Sequence, residues 1–168
     1  YSARDRRNGG NGYVPISLQY GTYTASNARA ESIAAGDPVI DPSIKNRSYK
    51  NKMVTAANVM DLQTILDTKD MMKDKPVLVA VTANKPMVFA EFEKDVSGIV
   101  LNFGVSTQAV LDVMFGKYEP SGLLPVQMPA NMATVEKQAE DVPFDMEVYV
   151  DQAGHAYDFG YGLNWSGV

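Results

Sequence analysis

Cysteine is absent from the 168 residues. Disulfide bridges, thiolate nucleophiles and zinc sites built on Cys are therefore excluded. Histidine is nearly absent as well: His155 stands alone, which removes any metal site built from several imidazoles. No apolar run approaches the roughly 20 residues that a membrane-spanning helix needs, so no membrane partner is expected. Positive charge is in short supply, with 15 Lys and Arg against 20 Asp and Glu and a net charge of −5. A nucleic-acid partner, which requires a basic face, is not expected either. The one basic cluster, Arg4, Arg6 and Arg7, lies in a Gly/Asn-rich leader and reads as a solvated end.

Nucleotide signatures are missing too. The only close glycine pattern, Gly160-Tyr161-Gly162, lacks a third glycine and does not join a strand to a helix. No P-loop string occurs, so no cofactor is expected. Around His155, between Gly154 and Ala156, nothing resembles a nucleophile elbow, and this residue reads as a turn histidine. No secretory leader is visible, and the chain starts at Tyr1 rather than Met, so export is left open.

What is present suits an ordinary globular domain: 45% hydrophobic and 21% charged residues. The length supports one domain with a real core over residues 13–168, preceded by a linker or frayed end over 1–12. Tyr13 to Tyr20 is rich in β-formers and predicts a strand, held near an edge by Pro15. Residues 21–52 predict a short helix from Ser26 to Ala35 and then a long surface loop with turns at Asp41-Pro42 and Asn46-Arg47-Ser48. Asn58 to Lys73 has the clearest helical period, with Asn58 as N-cap and Leu62, Ile65 and Leu66 on one face.

Val77 to Val81 is a continuous apolar run, the pattern of a parallel strand buried on both faces. A turn over Thr82 to Pro86 follows, then a short helix over Met87 to Asp95 with Phe89 and Phe92 inward. Ile99 to Phe103 predicts the next buried strand, and Thr107 to Phe115 the next helix. This alternation predicts an α/β fold: a mostly parallel sheet flanked by helices, an α/β sandwich with room for an antiparallel edge strand. Gly116 suits the left-handed position past a helix end. Pro120-Ser121-Gly122 is a turn into a strand over Leu123 to Val126, where Pro125 requires an edge. A helix around Met132 to Ala139 and a turn over Asp151 to Gly154 precede the aromatic tail, Tyr157 to Trp165, expected to fold back across the domain.

In open α/β sheets ligands gather beyond the carboxyl ends of the strands. Those ends carry Thr82, Asn84, Asn102 and Ser106, neutral hydrogen-bonding groups that suit a hydroxyl-rich ligand or simply cap turns and a helix. Among carboxylates, Glu31 lies in a loop with Ser26, Asn27 and Arg29 and is a general-acid candidate. Glu91 and Glu93 are two apart, so on a helix they point to different sides.

Three stretches carry a resemblance: LDVMFGKYEPSGLLPVQMP (Leu111 to Pro129), VLVAVTANKP (Val77 to Pro86) and YDFGYGLNW (Tyr157 to Trp165). In that order and spacing they resemble the C-terminal α/β-sandwich domain of glycoside hydrolase family 3, the family of many β-glucosidases. The resemblance is specific over roughly 75–168 and weaker over 13–74. It implies a retaining glycosidase with two carboxylates, acting on β-linked glucosides or oligosaccharides in the periplasm or outside the cell. The nucleophilic Asp then belongs to an N-terminal (β/α)₈ barrel of about 250 residues, a partner this chain does not contain. The acid/base Glu is implied between Gln19 and Asp37, where Glu31 is the candidate. Three positions depart from the family pattern. Tyr23-Thr24-Ala25 stands where a Glu often follows a Tyr-Thr-like segment. Gly104-Val105-Ser106-Thr107 replaces a GQEGG-like string, and Leu123 stands where Arg is common. The chain alone is expected to be inactive. The alternatives are a non-catalytic carbohydrate-binding or interaction module, or self-association through a barrel-facing apolar surface.

Overall fold

The computed structural model describes residues 2–4, 13–31, 42, 48–139 and 142–167. The element order is β1 (Ser2–Arg4), β2 (Tyr13–Pro15), β3 (Tyr23–Thr24), β4 (Met53–Val54), α1 (Val59–Met72), β5 (Leu78–Thr82), β6 (Gly98–Asn102), α2 (Thr107–Met114) and α3 (Met132–Lys137). β5 and β6 pair in parallel from Leu78↔Gly98 to Thr82↔Asn102, while β1–β2 and β3–β4 are antiparallel. The α/β class expected from the alternation of patterns is the class observed, with short strands.

The core lies on one face of β5 and β6. Val81 is buried there with Tyr20, Phe89, Phe92 and Met128, and Val79, Ile99 and Leu101 pack against them. Leu62 and Ile65 of α1 cover the same cluster. A second cluster joins Leu18 and Val88 to Met132 and Val135 of α3. Because the apolar face of α3 repeats at helical spacing, this short helix can bury Met132 and Val135 together.

Several local expectations change in the folded chain. The predicted strand over Tyr13 to Tyr20 stops at Pro15, and from Ile16 the chain is irregular. Over Ser26 to Glu31 it forms turns and bends rather than helix, and residues 32–35 of the predicted helix lie outside those described. So do residues 41 and 43–47, which hold most of the two predicted loop turns. Asn58 holds the N-cap position of α1 as expected, but its side chain accepts no helix N–H; its amide donates to Asp61 Oδ2 at 3.2 Å instead. Between β5 and β6 the chain makes two 3₁₀ turns, Phe89–Glu91 and Glu93–Asp95, rather than one helix. Both still turn Phe89 and Phe92 inward. β5 is buried on one face only: Leu78 is 49% exposed, and Ala80 and Thr82 are also exposed. α2 contacts β6, and the Leu78, Ala80 and Thr82 side of β5 stays exposed.

The stretch from Phe115 to Pro129 organises the other end. Gly116 adopts φ +72°, the left-handed position expected after α2. Leu123 to Val126 does not extend into a strand, but Leu124 makes one ladder step with the tail. Its N–H donates to Tyr161 O at 2.7 Å, and Gly160 N–H donates to Leu124 O at 2.9 Å. Pro125, the next residue, has no N–H to offer a strand on the other side. Met128 then donates to Tyr157 O and accepts from Tyr149 N–H. The aromatic tail thus folds back across the domain, as its sequence suggested.

Candidate functional site

At the carboxyl ends of the parallel strands the structure brings Thr82 and Asn102 together. The Asn102 side chain donates to Val81 O and to Thr82 Oγ1, both at 3.1 Å. Its Oδ1 accepts from the N–H of Gly104 at 3.1 Å and of Val105 at 3.4 Å. Asn102 is buried, and these bonds satisfy the polar atoms that burial removes from water. It therefore ties the two strand ends and sets the turn that leads into α2. Ser106 caps that helix, its hydroxyl accepting from Ala109 N–H at 3.3 Å. Thr82 and Asn84 remain exposed beside this frame. Of the four strand-end groups only Asn102 is buried; Thr82 and Ser106 are exposed yet bonded within the scaffold, and Asn84 is exposed.

Glu31 is exposed and ends the described stretch 13–31. Within that stretch, Ser17 to Gly21 is stitched onto the chain between β5 and β6. Lys85 Nζ donates to Ser17 O at 3.1 Å, and Val88 N–H to Leu18 O at 2.8 Å. Glu91 closes the series, accepting the N–H of Tyr20 on Oε2 at 2.6 Å and of Gly21 on Oε1 at 2.9 Å. Glu93 turns the other way and accepts from the Tyr149 hydroxyl at 2.8 Å. The two acids point to different sides, as their spacing implied. Their partners, 70 and 56 residues away, were invisible to local sequence reasoning.

A relay of rings runs from this point to the tail. Phe89 lies 5.5 Å from Tyr157, Tyr157 lies 5.2 Å from Tyr149 and 5.0 Å from Tyr161, and His155 stacks on Tyr161 at 5.8 Å. Burial first, then the nearby Glu93 and Asp151 charges, pushes the Tyr149, Tyr157 and Tyr161 hydroxyls up from their ordinary value. The Tyr161 hydroxyl is buried with no hydrogen-bond partner among the described residues. His155 Nδ1 meets Asp151 Oδ2 at 2.9 Å. Burial alone would push the Asp151 carboxyl up. Hydrogen bonds from the His155 backbone and ring and from the Ala153 backbone outweigh it and hold the carboxyl below its ordinary value. His155 is thus a packed turn histidine, and its partner acid is a structural one.

One further acid was missed by the sequence reading. Glu136 on α3 is pushed up by burial, with the Tyr23 and Tyr49 hydroxyls beside it opposing that shift. Its Oε2 has no hydrogen-bond partner among the described residues. The signal available beforehand was only that α3 is short and must bury most of its surface. Near α3 an open cavity of about 290 Å³ is walled by Leu18, Pro86, Val126, Val135, Phe144 and Phe159. Its apolar lining carries Gln127 and Gln138 as polar groups. No cluster of metal-ligating side chains occurs among the described residues.

Compared with known proteins, the chain is 37% identical to Beta-glucosidase C of Emericella nidulans over 84 residues, 50% of this chain and 14% of that protein. It is 31% identical over 88 residues to a Periplasmic beta-glucosidase/beta-xylosidase of Dickeya chrysanthemi, 52% of this chain and 12% of that protein. A Periplasmic beta-glucosidase of Salmonella typhimurium is 27% identical over 107 residues, 55% of this chain and 14% of that protein. The matched part thus spans only 12 to 14% of the length of these relatives. No solved structure matches. The profile of the glycosyl hydrolase family 3 C-terminal domain matches residues 24–165, from β3 to the end of the aromatic tail, and the chain belongs to that family.

Proposed function

We propose that this chain is the C-terminal domain of a retaining β-glycosidase that hydrolyses β-linked glucosides, and that it forms one wall of the sugar pocket. The opposite wall is an N-terminal (β/α)₈ barrel of the same enzyme, which supplies the Asp nucleophile. Glu31 acts as acid/base on the leaving-group oxygen. Retaining enzymes hold the two carboxyl groups about 5–5.5 Å apart, so the Glu31 loop reaches the mouth of the barrel. Thr82 and Asn84 offer hydroxyl and amide groups to the sugar, and Asn102 and Ser106 hold the strand ends that carry them. The observation that carries this reading is the family match over 24–165, which includes Glu31 and every strand-end group. The relatives from Dickeya and Salmonella are named periplasmic, which supports an exported location for this protein.

The test uses the full-length enzyme. Glu31→Gln lowers kcat/KM for phenyl β-glucoside, whose leaving group needs a proton, by roughly 10²–10⁴-fold. It leaves kcat/KM for the 2,4-dinitrophenyl substrate far less affected. Equal rates for mutant and wild type on the phenyl substrate remove Glu31 from the mechanism. The 168-residue chain alone turns over neither substrate; efficient turnover without a partner sinks the two-wall account. Sugar binding by the full-length protein with no hydrolysis favours the non-catalytic binding module.

A further inference from the structure

The segment that leads to Glu31 enters from a turn at Tyr20-Gly21, and one side chain, Glu91, holds both backbone N–H groups of that turn. We infer that Glu91 is a positioning residue for the segment from Thr22 to Glu31, an inference that rests on the proposed role of Glu31. The two carboxylate oxygens of Glu91 take consecutive backbone N–H groups, Tyr20 at 2.6 Å and Gly21 at 2.9 Å. Hydrogen bonds to an ionised acceptor are the strong kind, and a carboxylate presents two acceptors side by side. Neither a glutamine nor an apolar residue can do so.

The surroundings make this a clamp on one point of the chain. On the upstream side, the Tyr20 ring is buried and tilted against Phe92 at 6.0 Å. The Gln19 amide spans the turn, donating to Gly21 O and Thr22 O at 3.3 Å. On the downstream side, the Thr22 and Thr55 hydroxyls meet at 3.0 Å, and Tyr23–Thr24 pairs with Met53–Val54. Gly21 is part of the device: a Cβ there would lie 3.0 Å from Glu91 Oε1, the limit below which something must shift. Glycine at 21 and carboxylate at 91 are therefore matched, although 70 residues separate them. Beyond this anchor Ala25 pairs with Lys52 and Asn51, and Arg29 O accepts from the Ser48 hydroxyl, so Glu91 sets where the segment enters this frame while Glu31 at its end stays exposed. A displacement of about 1 Å at a catalytic group can cost on the order of 10²-fold in rate.

The experiment compares Glu91→Gln, Gly21→Ala and Glu31→Gln in the full-length enzyme on phenyl and 2,4-dinitrophenyl β-glucosides. A misplaced acid slows the first, bond-breaking step only for the substrate that needs protonation, and kcat/KM reports that step. We expect Glu91→Gln and Gly21→Ala each to lower kcat/KM on the phenyl substrate by roughly 10–100-fold, with kcat/KM on the dinitrophenyl substrate within about threefold. If Glu31→Gln shows the leaving-group dependence while both anchor variants lose nothing, or lose equally on both substrates, the inference is overturned. If Glu31→Gln shows no such dependence, the acid assignment has failed. Amide exchange in the 168-residue chain then decides the anchor separately. Glu91→Gln is expected to speed exchange at Tyr20 and Gly21 at least about tenfold while leaving the core amide of Val81 unchanged. Acceleration spread equally over all amides, or none at all, overturns it.

Discussion

Gly162 in the tail tests how the organising stretch is held. A Cβ added there would meet the backbone oxygen of Gly122 far inside the 3.0 Å that real Cβ atoms respect, and would also lie 3.1 Å from Leu123 Cδ2. The blocking atom is main chain, so no side-chain rotation relieves the clash. In Gly162→Ala the turn at Pro120-Ser121-Gly122 has to retreat by roughly 1 Å to reach ordinary contact. That motion pulls directly on the two bonds between Leu124 and the tail, at 2.7 and 2.9 Å. At about 1 kcal/mol for each weakened bond, plus residual overpacking, the loss comes to about 2–3 kcal/mol. For a chain of this length Tm should fall by about 5–10 °C in a circular-dichroism melt, with a matching shift in the urea midpoint. Gly160→Ala is the control. Its φ of +81° is strained for Ala, but nothing lies within 4 Å of the new Cβ. Its cost should be only about 1–2 kcal/mol. A Gly162→Ala melt within about 1 °C of wild type would show that the tail does not bear on the turn as described.

Two further outcomes concern the core and its charge. Phe92 is 0% exposed and touches Tyr20 and Phe89 at ring distances of 6.0 and 5.9 Å. Phe92→Ala should therefore cost about 3–5 kcal/mol by urea denaturation, and a loss below about 1 kcal/mol would contradict its central place. Glu136 is held above its ordinary value by burial. A raised folded-state value means its contribution is fully present below about pH 4.5 and is lost as pH rises through the folded value. Glu136→Gln should accordingly gain stability over wild type at pH 7.5 but not at pH 4, and an equal difference at both pH values would refute the burial argument.

The elements read from the sequence were those whose cause is local. The helical period of Leu62, Ile65 and Leu66 lies within one turn of itself, and all three are partly buried on α1. Gly116 after α2 and the turn at Asp151 follow from neighbours one to four positions away. The family resemblance rested on the same short stretches, and the match over 24–165 bears it out. Val77 to Val81 shows where this kind of reading stops. An apolar run states what could be buried, yet whether a second layer covers Leu78 is decided by elements far along the chain. Glu91 is a sharper case. Its spacing from Glu93 told that the two acids diverge, but nothing near it named Tyr20 and Gly21.

By itself the sequence determined the class of fold, the places of α1, β5, β6, α2 and α3, the family, and the exclusion of thiol and multi-histidine chemistry. Those follow from composition, period and turn chemistry, which act between residues close along the chain. Only the tertiary structure decided that Asn102 and Ser106 serve the scaffold, that Glu136 is half-buried, that Leu124 and Met128 pair with the tail, and that Glu91 grips the turn leading toward Glu31. Each of these depends on which distant groups meet after burial. A hydrogen bond or a desolvated charge is fixed by that meeting, not by the identity of either residue alone.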